Sequence, residues 1–307
     1  MAGQELPGLN GLSARGTRLI DWAAAVGLPR LAKGLPWSEK DMTTTIAVAG
    51  KGGTGKTTLA GMIIRYLAEE KMGSVLAIDA DPSSNLNAVL GMELEETIGD
   101  IREDMLDQVQ ASAASAGAMA GGMGKQDYLD YQIRLAMVEG DHIDLLAMGR
   151  PEGQGCYCAA NQMIRVVMDR LSSNYDFVVM DNEAGMEHIS RRTTRDVDHL
   201  LLVTDTSQRA LNAAQRIVEM IPGLEVNIHN IYLVVNRLMS EQMPPALASA
   251  VDRLGIQLIG TMPNDMTMSE FEFSGRPLIE LPPDSLVVQA VFEITRKLLS
   301  NGHQSRP

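Results

Sequence analysis

The stretch TIAVAGKGGTGKTT, Thr45 to Thr58, decides the fold. An apolar, β-branched run at 45–49 passes without a break into a glycine loop, Gly50, Lys51, Gly52, Gly53, Thr54 and Gly55, and then into Lys56, Thr57 and Thr58, where a helical pattern begins. Glycines placed so let backbone N–H groups close around phosphate oxygens, and the helix N-terminus adds a favourable field. Lys56 is spaced to reach β and γ phosphates, and Thr57 to offer its hydroxyl to Mg²⁺.

Outward from this loop the chain alternates short apolar runs with amphipathic stretches. Strands are expected at 45–49, 74–79, 143–148, 177–181, 199–203, 231–235 and 257–261, with helices such as 56–70, 160–172 and 207–221 between them. Nearly continuous apolar strands are buried on both faces, so the expected fold is a single doubly wound α/β domain, a mostly parallel sheet with helices on both sides. The small-residue segment 110–125 reads as a mobile loop. Residues 1–41 contain both tryptophans and are broken by Pro7, Pro29 and Pro36, so they read as an extension ahead of a domain at 42–307 that starts on Met42.

Bulk composition excludes some partners. A net charge of −13 repels nucleic acid and anionic lipid on average. The sequence has no apolar run of about 18 residues or more and no signal peptide, so no membrane association is expected. Two cysteines without a disulfide framework suit the cytoplasm.

Lys51 narrows the reading. A loop of form KGGxGKTT resembles the deviant Walker A P-loop ATPases, the group of nitrogenase iron proteins, MinD and ParA positioning ATPases and metal-insertion ATPases. The resemblance implies a homodimer that sandwiches ATP, in which Lys51 crosses to the partner's nucleotide, with Lys51 and Lys56 stabilising charge on the γ phosphate. In DADPSSN (79–85), the resemblance gives Asp81 the role of orienting the attacking water in switch I. FVVMDNEAG (177–185) looks like Walker B running into switch II, with Asp181 placed to hold Mg²⁺ through water. Asn236 and Arg237, and Pro263, Asn264 and Asp265, resemble the family's adenine-reading positions.

Both cysteines, Cys156 and Cys158, lie in GQGCYCAAN (153–161), on a loop that should share the sheet's carboxyl edge with the nucleotide. A disulfide two residues apart would be strained, and a helix start nearby favours thiolate. Two thiolates are half of the four ligands usual for zinc or square-planar nickel. A second chain can supply the rest, and a metal site on the dimer axis would couple metal affinity to the ATP state. With MGRPEGQGCYC (148–158), DNEAGMEHISR (181–191) and SGRPL (274–278), the chain resembles the CooC-type ATPases. That resemblance implies Ni²⁺ (or Zn²⁺) as the bound ion and carbon monoxide dehydrogenase or acetyl-CoA synthase as client.

Two rivals stand beside this reading. An iron–sulfur reductase of the nitrogenase iron protein type would place a second cluster cysteine seven after Asp181, where this chain has His188. A MinD-like positioning ATPase would use a basic amphipathic C-terminal helix, and 285–300 is amphipathic with only Arg296 and Lys297 as basic residues. Such a helix is expected to pack on the sheet. His188, in switch II, is a candidate for transmission or metal handover.

Overall fold

Seven strands, all parallel, form one sheet in the computed structural model, which describes residues 43–101, 103, 125–149, 168–182, 196–223, 226–240 and 242–302. They are β1 (Thr44–Gly50), β2 (Val75–Asp79), β3 (Ile143–Ala147), β4 (Phe177–Asp181), β5 (Asp196–Thr204), β6 (Asn227–Leu238) and β7 (Gln257–Pro263). Their order is β3-β2-β4-β1-β5-β6-β7, so β1 is central and the chain winds outward from it in both directions. Each strand matches an apolar run in the sequence. β5 and β6 begin earlier than their apolar runs because polar residues extend the pairing: Asn227 Nδ2 donates to Asp196 Oδ1 at 2.8 Å.

Successive residues of β1 point to opposite faces and enter different cores. Ile46 and Val48 pack with Leu59, Ile63 and Leu67 of helix α1 (Lys56–Glu69) and with Val287, Val291 and Ile294 of the C-terminal helix. Ala47 and Ala49 belong to the other core, which includes Leu211 and Ile217. The short helix α2 (Leu86–Leu90) follows β2, and α3 (Lys125–Ala136) precedes β3. Helices α4 (Gln208–Met220), α5 (Pro245–Asp252), α6 (Met266–Ser274) and α7 (Leu286–Gly302) complete the wrapping of β5 to β7. The expected doubly wound parallel sheet is therefore what forms. The segment 110–124, the residues 1–42 and the start of the helix expected at 160–172 lie outside the described residues.

The C-terminal amphipathic stretch has its apolar stripe, Val287, Val288, Val291, Ile294 and Leu298, fully buried in the core. Its Lys297 pairs with Glu293 at 2.7 Å. As expected, the helix packs on the sheet, and no described helix is long and apolar enough to cross a membrane.

One carboxylate organises the end of the fold. Asp265 follows β7 and caps α6 by accepting from Thr267 N–H at 2.8 Å and Met268 N–H at 3.3 Å through Oδ1. Its Oδ2 accepts from Ser285 Oγ at 2.6 Å and Val287 N–H at 3.2 Å, at the start of α7. Burial pushes this carboxyl up, but the four donors together outweigh burial and hold it below its ordinary 3.8. A lowered folded-state pKa means stability present above the unfolded value and lost as pH falls through the folded one. Asp265→Ala should lower stability by about 2 kcal/mol or more, as expected for a group serving two caps. Urea unfolding should show the wild type losing more stability than this variant as pH drops below about 4.

Candidate nucleotide site

β1 delivers the glycine loop to the carboxyl edge of the sheet, beside the switch in strand order, where α/β folds bind ligands. The loop is closed by its own residues. Thr54, fully buried, donates from Oγ1 to Lys51 O at 2.7 Å and from its N–H to the same oxygen at 3.3 Å. Gly50 sits at φ 150°, and a Cβ there would lie 2.2 Å from Val203 O of β5. Gly55 sits at φ 94°, and a Cβ there would lie 2.1 Å from Asn236 Nδ2. Both positions therefore admit only glycine.

α1 starts at Lys56 with no side-chain cap and no acidic residue in its first turn. Its free N–H groups and positive dipole end remain available to an anion. Lys56 is 7% exposed, so its charge is held close to the loop, while Lys51 is half-buried and Gly52 and Gly53 are exposed.

Three strand ends surround this loop. β4 ends in Asp181, 1% exposed, whose Oδ1 has no hydrogen-bond partner among the described residues. Burial drives the Asp181 carboxyl up to about 7; the Thr57 hydroxyl and the Lys56 charge pull it down, and the charges of Asp79 and Asp81 push it further up. The groups expected around magnesium and the phosphates are thus within electrostatic reach of one another. β2 ends in Asp79, in register with Asp181 and fully buried, its carboxyl driven up to about 6 by burial. A threonine hydroxyl beside a buried carboxylate with an unpaired oxygen is a donor set suited to a hard divalent cation.

β6 contributes the tether. Asn236, 3% exposed, reaches past β5 and donates from Nδ2 to Thr54 O at 2.8 Å, while its Oδ1 accepts from Arg237 N–H at 2.7 Å. Arg237 is exposed and takes φ 57°, a conformation that costs energy in a non-glycine residue and clusters at functional sites. The register of β6 against β7 slips between Val235 and Leu238, which is where Arg237 turns out.

Of the positions expected to read adenine, Asn236 therefore holds the glycine loop, and Arg237 stands exposed at the edge. Pro263 and Asn264 line a groove of about 530 Å³ along β7 and α7. That groove includes no residue of the glycine loop. Asp265, expected beside them, has its carboxylate occupied by the helix starts. Cys156, Cys158 and His188 lie outside the described residues.

Two residues escaped the sequence reading. Asn182, fully buried, donates through Nδ2 to Val48 O at 3.0 Å and Met180 O at 3.3 Å, fastening the exit of β4 to β1. Asp79 was visible only as a carboxylate closing an apolar strand, and burying a charge there is costly enough to be a signal in itself.

Gly55→Ala should abolish nucleotide binding measured by titration with a fluorescent ATP analogue, because the clash with Asn236 forces the loop open. A pKa raised on folding means stability present below the unfolded value and lost as pH rises through the folded one. Without nucleotide and magnesium, the wild type should lose up to about 7 kcal/mol between pH 4 and 8 from Asp181 and Asp79 together. Asp181→Asn should flatten that slope in thermal unfolding.

Comparison with known proteins agrees with this geometry. Residues 45–278 match the family described as the CobQ/CobB/MinD/ParA nucleotide binding domain. An uncharacterized ATP-binding protein of Methanocaldococcus jannaschii is 43% identical over 255 residues, covering 83% of this chain and 98% of its own. The carbon monoxide dehydrogenase accessory protein CooC of Rhodospirillum rubrum is 30% identical over 246 residues, covering 78% of this chain and 90% of its own. Among solved structures, MinD of Pyrococcus horikoshii complexed with Mg-ADP superposes with a TM-score of 0.61 at 22% identity, covering 86% of this chain and 99% of its own. The chain belongs to the CobQ/CobB/MinD/ParA family of nucleotide-binding proteins, the deviant Walker A P-loop ATPases.

Proposed function

We propose that this ATPase is a metallochaperone: a cytoplasmic homodimer that binds MgATP, takes up a soft divalent ion, nickel or zinc, between paired CxC motifs, and helps load it into a client metalloenzyme. The reading is carried by Cys156 and Cys158, the only cysteines of the chain, two residues apart in a protein 30% identical to a carbon monoxide dehydrogenase accessory protein. Carbon monoxide dehydrogenase or acetyl-CoA synthase is the proposed client.

In this reading Gly50 to Thr58 cradle the phosphates, with Lys51 and Lys56 stabilising charge on the γ phosphate and Lys51 acting across the dimer. Thr57 and Asp181 would hold magnesium, which supplies neutralisation of the phosphate charge. Asp81 orients the attacking water, and Arg237, Pro263 and Asn264 border the base. Closing the dimer around ATP assembles a four-thiolate site, and hydrolysis opens it, so ATP and metal report on each other's affinity. Hydrolysis is slow until the client is present, as a switch requires.

The buried apolar stripe of α7, Val287, Val288, Val291, Ile294 and Leu298, favours this over a MinD-like membrane role, because those side chains are committed to the core. The test is an anaerobic metal titration of reduced protein, read by metal content and by light-scattering mass, with and without ATP, beside a Cys156→Ala/Cys158→Ala variant. One ion per two chains, lost in the variant and accompanied by dimer formation, is the expected result. A protein that dimerises with ATP and binds no metal would overturn the metallochaperone reading in favour of a positioning role.

A further inference from the structure

None of the roles assigned above uses Asp79, although it is fully buried and stands at the carboxyl edge of the sheet. Its Oδ1 accepts from Asp81 N–H at 3.1 Å, and its Oδ2 accepts from Leu86 N–H at 2.9 Å. One carboxylate therefore ties together the beginning and the end of the segment 80–86, which joins β2 to α2.

Between these anchors the loop is folded tightly. Ser83 N–H donates to Asp81 Oδ1 at 2.8 Å, Ser84 N–H donates to Asp81 O at 3.0 Å, and Ser84 takes φ 45°. On the other side Ala80 N–H donates to Asp181 O at 2.8 Å, continuing the β2–β4 pairing past the last residue of the strand. The backbone of Asp81 is thus held from Asp79 on one strand, and its neighbour Ala80 from Asp181 on the next. The Asp81 side chain, by contrast, is partly exposed and, among the described residues, held only by a turn that it makes itself. What the fold determines rigidly is where Asp81 starts from, and what it leaves adjustable is the carboxylate.

We propose that Asp79 is a positioning residue for hydrolysis: its carboxylate clamps the loop so that Asp81 is presented at the edge where Lys56, Thr57 and Asp181 meet, and it touches neither nucleotide nor magnesium itself. The proposal rests on the reading of Asp81 as the residue that orients water. Chemistry makes the clamp specific to a carboxylate. Both of its oxygens face N–H donors, so an amide in its place would keep one acceptor and turn an NH₂ group toward the other donor. Asparagine is nearly the same size, so it breaks one anchor while leaving the packing around it intact.

The experiment is a kinetic cycle on the full chain with Asp79→Asn, Asp81→Asn and the double variant. Steady-state ATP hydrolysis is measured beside equilibrium binding of ATP and the magnesium dependence of the rate. Asp79→Asn should lower kcat roughly tenfold or more, with the Kd for ATP and the half-saturating magnesium concentration within about twofold of wild type, since the clamp acts only through Asp81. The double variant should be no slower than Asp81→Asn alone, because two residues acting as a unit do not add. Asp79→Ser, which retains one acceptor oxygen, gives the same ordering if Asp79→Asn does not fold.

A wild-type rate for Asp79→Asn overturns the proposal. Losses that multiply in the double variant overturn it too, since they mean an independent role, and a raised magnesium requirement means direct contact with the ion. A wild-type rate for Asp81→Asn is a different failure: it removes the reading of Asp81 on which the clamp depends.

Discussion

The hydrogen bond from Asn236 Nδ2 to Thr54 O is the interaction on which the site depends. A glycine loop has few side chains to pack and many conformations to lose, so it must be held from outside to keep its N–H groups converged. Asn236 does this from β6, two strands away from β1, and its approach is possible only because Gly55 has no side chain. The close contact of Gly50 with Val203 O fixes the other end of the loop against β5. The phosphate cradle is therefore a property of three strands rather than of one motif.

Around that loop the fold accepts an electrostatic cost. Asp79 and Asp181 end neighbouring strands, both buried and in register; burial raises the proton affinity of each, and the Asp79 charge raises that of Asp181 further. Buried charge opposes folding unless it is paired, and the unpartnered oxygen of Asp181 is where the proposed magnesium would offset that cost. The lysine and threonine at the start of α1 offset part of that cost. Asp79 lowers its own cost by accepting two backbone N–H groups, which is how a group that looks like a liability also orders the adjoining loop.

Beyond β7, at the same carboxyl edge, the balance is the opposite. Asp265 has four donors for its two oxygens, so its charge is well solvated by protein groups and stabilises both helix starts. That clamp ties α7 to β7. With α7 fixed there, its buried face closes the core on the side of α1, where Arg65 also donates to Leu281 O at 2.6 Å. An amphipathic helix that could have served a membrane is thereby committed to the interior.

The sequence by itself determined the parallel sheet and the phosphate loop. A strand buried on both faces must be apolar at almost every position, and a loop around phosphate needs glycines and a lysine at set spacing, so both leave a local signature. Helix α6, MTMSEFEFS, leaves none, because it has little apolar stripe at helical spacing and depends on the Asp265 cap. Tertiary structure alone decided that Asn236 holds the loop and that Asp265 serves two helices. The partners in these contacts are 182 residues apart for Asn236 and Thr54 and 20 for Asp265 and Ser285. No local pattern can say which of several polar residues at a strand end meets a partner so distant, because that is settled by strand order and by which side chains the crossing strands leave room for.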